Sequence, residues 1–235
     1  MKNKQLLNQF KTQLYDLTTK DGFMPYRDCG VARITAGYVF QVIYIEEHSF
    51  GEKITIEIVS RPLYYPTDML VLTPGNRLFK FAAKGQTDRW WDCSSLEKVR
   101  ESFTEISGLI TRYAIPFFDK TGSGKEIIKS RRRNIIGRSR FGKRVNWGTT
   151  ERDLFETGHL FLWERDFKAA RKYINQAYEL FYMENTQWAK DTAGECLRIL
   201  ALIEKGPVFS ATYLERTAEN SRRTLALNNM AVYED

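Results

Sequence analysis

The sequence predicts an α+β fold, with an antiparallel meander of about five strands flanked by two amphipathic helices and followed by an α-helical hairpin region. Three observations carry this. Apolar residues recur at three- and four-residue spacings over 4 to 20, over 96 to 113 and again from Leu154, which is helical periodicity. Between the first two of these stretches the pattern alternates, with no segment long enough to be a crossover helix, so the strands are expected to pair antiparallel. Hydrophobic residues make up 43% and aromatic residues 14% of the 235, which excludes a chain too polar to build a core.

The first helix is predicted from Leu6, Leu7, Phe10, Leu14 and Leu17, which share one face, with Gly22 placed for a left-handed cap. Strands are predicted at 31 to 35, 38 to 45, 53 to 59, 68 to 72 and 77 to 82, separated by Ala36-Gly37, a loop at 46 to 52, Arg61-Pro62 and the turn Thr73-Pro74-Gly75-Asn76. Ser94-Ser95-Leu96-Glu97 has the spacing of a capping box based on Ser94. The helix it starts carries Leu96, Val99, Phe103, Ile106, Leu109, Ile110 and Tyr113 as one stripe, and Pro116 is expected to end it.

Within this region the opening helix, the Asp21-Gly22-Phe23 step, the strand Phe40-Gln41-Val42-Ile43-Tyr44 and the segment Tyr113-Ala114-Ile115-Pro116-Phe117-Phe118-Asp119 resemble a bacterial family of domains of unknown function, over about residues 1 to 120. The resemblance implies an α+β domain and brings no catalytic residue, ligand or cofactor. One departure is Met24-Pro25-Tyr26-Arg27, where the resemblance implies a basic or polar strand; the proline confines this piece to a sheet edge.

The last third is predicted to be helical. Gly158, Phe161, Phe167, Ala170 and Ala177 fall at the small and large positions of a hairpin that resembles a single tetratricopeptide-type repeat, with Arg165-Asp166 as its turn and Asp166 as N-cap. Leu154 stands where that motif has Trp, and Tyr182 where it has Pro. A second, divergent hairpin is expected over 186 to 204 and 210 to 228, divided by Gly206-Pro207. The predicted organisation is therefore an α+β domain over 1 to 120, a connector over 121 to 148 and a helical tail over 149 to 235.

Charge is distributed unevenly. Residues 125 to 144 hold nine basic side chains, Lys125, Lys129, Arg131, Arg132, Arg133, Arg138, Arg140, Lys143 and Arg144, and one acidic side chain, Glu126. The rest of the chain holds 27 basic and 28 acidic residues, so the net +7 belongs to the connector. Such an island suits phosphate, an anionic surface or an acidic partner, or it pairs with carboxylates of its own chain. Only Phe141 and Trp147 lie near it as aromatic residues, which is thin support for stacking on single strands.

Motifs that carry chemistry are few. Thr121-Gly122-Ser123-Gly124-Lys125 lacks the earlier glycine of a phosphate loop and has Glu126 where Ser or Thr is needed, so a flexible connector is expected. His48 follows Glu46-Glu47 at a strand end, where a polar loop is expected, and His159 falls in the helical hairpin. Cys29, Cys93 and Cys196 have neither metal-ligand spacing nor the even count of a disulfide framework. Asp88-Arg89-Trp90-Trp91-Asp92 places two tryptophans on opposite faces of an extended segment, so either an outward ring forms a recognition patch with Tyr64-Tyr65 or, as docking of the tail favours, both rings are covered by the flanking helices or the tail.

No apolar run approaches the roughly 18 residues of a membrane span, and the opening residues are too interrupted for a signal peptide. The expectation is a cytoplasmic, non-catalytic protein-interaction module with no metal or cofactor. It would meet a protein through the helical tail or the aromatic patch of Trp90 and Trp91. The alternative is a nucleic-acid-binding protein using 125 to 144. A further alternative is a carboxylate-based hydrolase, which requires at least two of Glu46, Glu47, Asp88 and Asp92 to converge.

Overall fold

Leu7, Phe10 and Leu14 form the inner stripe of α1 (Lys2–Thr18), and all three are buried. A 3₁₀ turn, Thr19–Asp21, follows, and Gly22 closes it at φ 77°, donating its N–H to the Thr19 carbonyl. The structure is a computed structural model that describes residues 2–49, 51–66, 75–83, 88–129 and 151–233. By its internal contacts the chain forms two units. The first is Met1–Pro62, Leu70–Gly122 and Asn228–Asp235, and the second is Leu63–Met69 with Ser123–Leu227.

In the first unit an antiparallel sheet runs β1 (Met24–Tyr26), β2 (Gly30–Thr35), β3 (Val39–Glu47), β4 (Lys53–Pro62) and β5 (Gly75–Arg77) in spatial order. Among the described residues the proline-bearing strand β1 pairs only with β2, at the sheet edge that Pro25 permits. The β3 and β4 pair is the longest, registering Val39 with Pro62 and Glu47 with Ile54. Its alternation puts Ile43, Ile45, Ile54, Ile56 and Ile58 in a core with Leu7, Phe10, Leu14, Val99 and Ile106. Helices α1 and α3 (Leu96–Leu109) therefore cover the same face, and Phe10 meets Phe103 edge to face at 5.5 Å. Burying each of these large side chains contributes about 2 kcal/mol, so the stripe holds the layer together.

Four local expectations are corrected. Residues 78 to 82, expected in a strand, form the short helix α2 (Leu78–Ala82), a single turn that buries Leu78 and half-buries Phe79 and Phe81 against the core. The other expected strand, 68 to 72, lies outside the described residues. The α3 cap is Ser95 rather than Ser94: its Oγ accepts the Lys98 N–H at 3.2 Å, while Asp92 accepts the Ser94 N–H. Pro116 does not stop the helix. Ile110–Ala114 widens into a π-turn in which the Ile115 N–H reaches the Ile110 carbonyl, so Pro116 falls in the first turn of α4 (Ile115–Asp119), where its missing donor costs nothing. Finally, the end of the chain is not helical: β7 (Val232–Tyr233) pairs parallel with Ile34 and Thr35 of β2.

That last strand is pinned by Arg33, whose guanidinium lies 4.8 Å from the Phe23 ring centre and 5.2 Å from that of Tyr233. Arg33 also donates to Gln41 at 2.8 Å and to the Asp21 carbonyl at 2.6 Å.

The second unit is helical, with α5 (124–129), α6 (Glu151–Trp163), α7 (Phe167–Met183), α8 (Gln187–Lys205) and α9 (Pro207–Thr224). The turn between α6 and α7 matches its prediction: Arg165 takes φ 61°, and Asp166 Oδ1 accepts the Ala169 N–H at 3.0 Å. Gly158 lets the two helices close, because a Cβ there would lie 2.4 Å from Ile174 Cδ1. Gly206, at φ 112°, separates α8 from α9, and Pro207 occupies the first turn of α9. Leu63, Tyr64 and Tyr65 are buried in this unit, with Tyr64 stacked on Trp163 at 4.3 Å and the Tyr65 carbonyl accepting from Ser221 Oγ at 3.0 Å. Among the described residues, no helix is long and apolar enough to cross a membrane.

Candidate functional site

Strand alternation sends Tyr44, Glu46, Thr55 and Glu57 to the sheet face opposite α1 and α3, since Ile43, Ile45, Ile54 and Ile56 take the helix-covered face. Register places Arg77 of β5 beside Glu57, and three carboxylates converge on its guanidinium. Arg77 lies 3.0 Å from Glu46, 3.5 Å from Glu57 and 2.5 Å from Asp88, and Lys80 reaches Asp88 at 3.0 Å. The Arg77 guanidinium also sits 5.3 Å from the Trp90 ring centre, and the same ring meets His48 edge to face at 4.9 Å.

The charges are unevenly held. Burial, with Glu46 alongside, pushes the Glu57 carboxyl above the usual carboxylate range, and Arg77 pulls it back only in part. Asp88 is held below that range by hydrogen bonding from Lys80 and by Arg77. Glu46 and Asp88 thus do meet, together with Glu57, which the sequence did not single out. Its signal was available in the alternation of β4, where Glu57 shares a face with Thr55.

What meets is an ion-pair hub, because the acceptor oxygens face a guanidinium that is already there. Among the described residues, no group of three or more His, Cys, Asp or Glu is arranged to hold a metal ion. The other two candidate carboxylates lie apart from it: Glu47 ends the exposed tip of β3, and Asp92 caps the turn before α3, its acidity raised by the hydrogen bonds from Ser94.

The two tryptophans separate as their alternation requires. Trp91 pairs with Ile54 through β6 (Trp91–Asp92) and enters the core at 3% exposure, so it is not available as a binding residue. Trp90 is half-buried in the Arg77 cluster. Tyr64 and Tyr65, expected to extend a recognition patch, are buried within the helical unit instead, where Tyr64 gains a stacked partner in Trp163.

Of the basic island, only Lys125 and Lys129 belong to the described residues; Arg131, Arg132, Arg133, Arg138, Arg140, Lys143 and Arg144 lie outside them. Both lysines are exposed on α5, and Lys125, with 83% of its side chain open to solvent, lies 3.9 Å from Glu164. The segment before them is ordered rather than a loose connector. Ser123 Oγ accepts the Glu126 N–H at 3.3 Å and lies 3.2 Å from the Glu126 carboxylate, a serine-glutamate cap legible as Ser123-Gly124-Lys125-Glu126.

The helical unit carries an open surface of its own. A cleft of about 570 Å³ lies between the end of α6 and the start of α9; Leu162, Trp163, Phe167, Val208 and Leu214 give its apolar wall, and Arg165 and Glu215 its charged rim. Val208, one of its lining residues, is 75% exposed. Further exposed apolar side chains, Tyr182, Met183 and Trp188, gather where α7 passes into α8. Behind this surface His159 is fully buried, bonded to the Phe155 carbonyl and to the Tyr213 hydroxyl. Comparison of the chain with models of protein families, with curated proteins and with solved structures finds no match.

Proposed function

We propose that this chain is a non-catalytic protein-interaction module whose helical unit receives an apolar segment of a partner protein. The cleft between α6 and α9 carries this proposal. Its wall is aromatic and aliphatic, its rim offers one charge of each sign, and Val208, which lines it, stands open to solvent. A shape of this kind suits a side-chain ridge flanked by polar residues. The Arg77 hub supports the absence of hydrolytic chemistry in this proposal, since the carboxylates that could act as acid and base are ion-paired.

A second function, nucleic-acid binding through 125 to 144, is favoured by one observation: Lys125 and Lys129 both project into solvent at the start of the island. One experiment separates the two. Source-cell lysate is passed over the intact protein, over Val208→Asp, and over a variant with the island neutralised, each with and without nuclease and high salt. A retained protein that survives nuclease and is lost with Val208→Asp supports the cleft. Retention that follows nuclease, salt and the island supports the alternative, and equal capture by intact protein and Val208→Asp overturns the cleft.

A further inference from the structure

Buried hydrogen-bonding groups need partners, and the number of hydrogens in a buried chain can be counted. His159, with no solvent exposure, has Nδ1 2.9 Å from the Phe155 carbonyl oxygen. That oxygen can only accept, so Nδ1 carries a hydrogen and donates it. In the neutral ring Nε2 is then a bare acceptor. It lies 3.1 Å from the Tyr213 hydroxyl, which has a single hydrogen, and the same hydroxyl lies 2.7 Å from Glu195 Oε1, a carboxylate that can only accept. Two acceptors claim one hydrogen.

Distance and charge decide the contest. A hydrogen bond to an ionised acceptor is the stronger and shorter one, so the Tyr213 hydrogen goes to Glu195. Nε2 is left facing an oxygen lone pair, and the chain is one proton short. If Nε2 takes a proton from solvent through its lone pair, every member is satisfied at once. Nε2–H donates to the Tyr213 oxygen, Tyr213 donates to Glu195, and Arg198 also donates to Glu195, at 2.6 Å.

We infer that His159, Tyr213 and Glu195 form a proton-operated relay that ties α6, α9 and α8 together when His159 is charged and leaves α6 and α9 uncoupled at this point when it is neutral. The charged and titratable groups around the ring come from every element beside it: Glu156 on α6, Glu195 and Arg198 on α8, Tyr213 on α9, and Tyr65 from the buried segment before Pro66. Burial dominates, lowering the His159 pKa below its ordinary value of 6.5, while the Phe155 carbonyl, Glu195 and Glu156 oppose it. Burial also holds the Tyr213 hydroxyl above the usual phenol range, so it remains a neutral donor throughout.

The sign follows. Below 6.5 the unfolded chain binds the proton first, so the helical unit loses stability as pH falls from 6.5 through the lower folded value; the hydrogen bonds of the charged relay offset only part of the cost of a buried charge. The ring is therefore neutral at pH 7 and takes a proton only below its ordinary value of 6.5.

The test is nitrogen NMR of histidine-labelled full-length protein, with His48→Gln used to assign the His159 signals. The neutral ring is expected as the Nδ1–H tautomer, with a titration midpoint below 6.5. Tyr213→Phe should lower the midpoint by about one pH unit, a tenfold loss of proton affinity, because the imidazolium loses its acceptor. Glu195→Gln, which keeps the shape of a partly exposed side chain, should lower it at least as far, since it removes a negative charge and frees the Tyr213 hydrogen for Nε2. A midpoint that rises in Tyr213→Phe means that Tyr213 donates to the neutral ring and overturns the relay. An Nε2–H tautomer, or a midpoint unmoved by Glu195→Gln, overturns it as well.

Discussion

Replacing Gly158 by alanine sets two effects against each other in one helix. An alanine in a helix interior is favoured over glycine by about 1 kcal/mol, so on propensity alone Gly158→Ala would stabilise α6. Packing opposes this. The new methyl would lie 2.4 Å from Ile174 Cδ1 and 2.6 Å from Cγ1, well inside the roughly 3.5 Å of ordinary carbon contact. The side chain of Ile174 is fully buried and has no solvent to swing into, and its backbone nitrogen, 3.3 Å from the same position, can move only with α7.

Overpacking of this kind costs about 1 to 3 kcal/mol, so packing wins and the net loss is about 1 kcal/mol. Urea unfolding followed by far-UV circular dichroism reads this as a lower midpoint with an unchanged slope. In an Ile174→Val background, which lacks Cδ1, the loss should shrink by about half, because the two sites share the contact. A Gly158→Ala protein as stable as the parent, or a loss identical in both backgrounds, refutes the close approach of α6 and α7.

Three further outcomes are expected. Arg77→Met should destabilise the first unit by about 2 kcal/mol at pH 7, because the nearly buried Glu57 keeps its charge beside Glu46 with no cation to offset it. Since the folded pKa of Glu57 is raised, that cost fades as the carboxyl takes a proton, so urea midpoints of variant and parent should approach each other as pH falls from 7 toward the usual carboxylate range. Asp166→Ala removes the acceptor for the Ala169 N–H and should lower the stability of the helical unit by about 1 kcal/mol in the same assay, with Asp166→Asn recovering most of it. Cys93 and Cys196, whose thiols burial pushes up to about 11 and about 12, should resist alkylation at pH 8 in native protein and react fully in urea, as peptide mass mapping would report.

Much of the fold was legible because its signals are local. Leu7, Phe10 and Leu14 declare a helix face by their spacing, Ile54, Ile56 and Ile58 declare a strand face, and Asp166 and Gly206-Pro207 mark helix boundaries by the chemistry of one or two residues. Local signals mislead where two of them compete. Ser94 and Ser95 both offer a cap, and the structure uses the second; Pro116 breaks helices in general, but a π-turn shifted the register so that its missing donor was not needed. The candidate sites were less legible. The serine-glutamate cap at Ser123 is spelled out by four consecutive residues, whereas the meeting of Glu46, Glu57 and Asp88 around Arg77 depends on the register of β4 with β5.

The sequence by itself determined the layer class, the helical character of the last third and the location of the basic charge, because each follows from side-chain period or composition within a few turns of chain. Only the tertiary structure decided that Val232 and Tyr233 return to pair with β2, that Leu63, Tyr64 and Tyr65 belong to the helical unit, and that Tyr213 stands between His159 and Glu195. The physical reason is the same in each case. Periodicity states which face of an element is apolar, but which distant side chain completes a hydrogen bond or ion pair is settled by register, helix rotation and loop closure, none of which leaves a local mark.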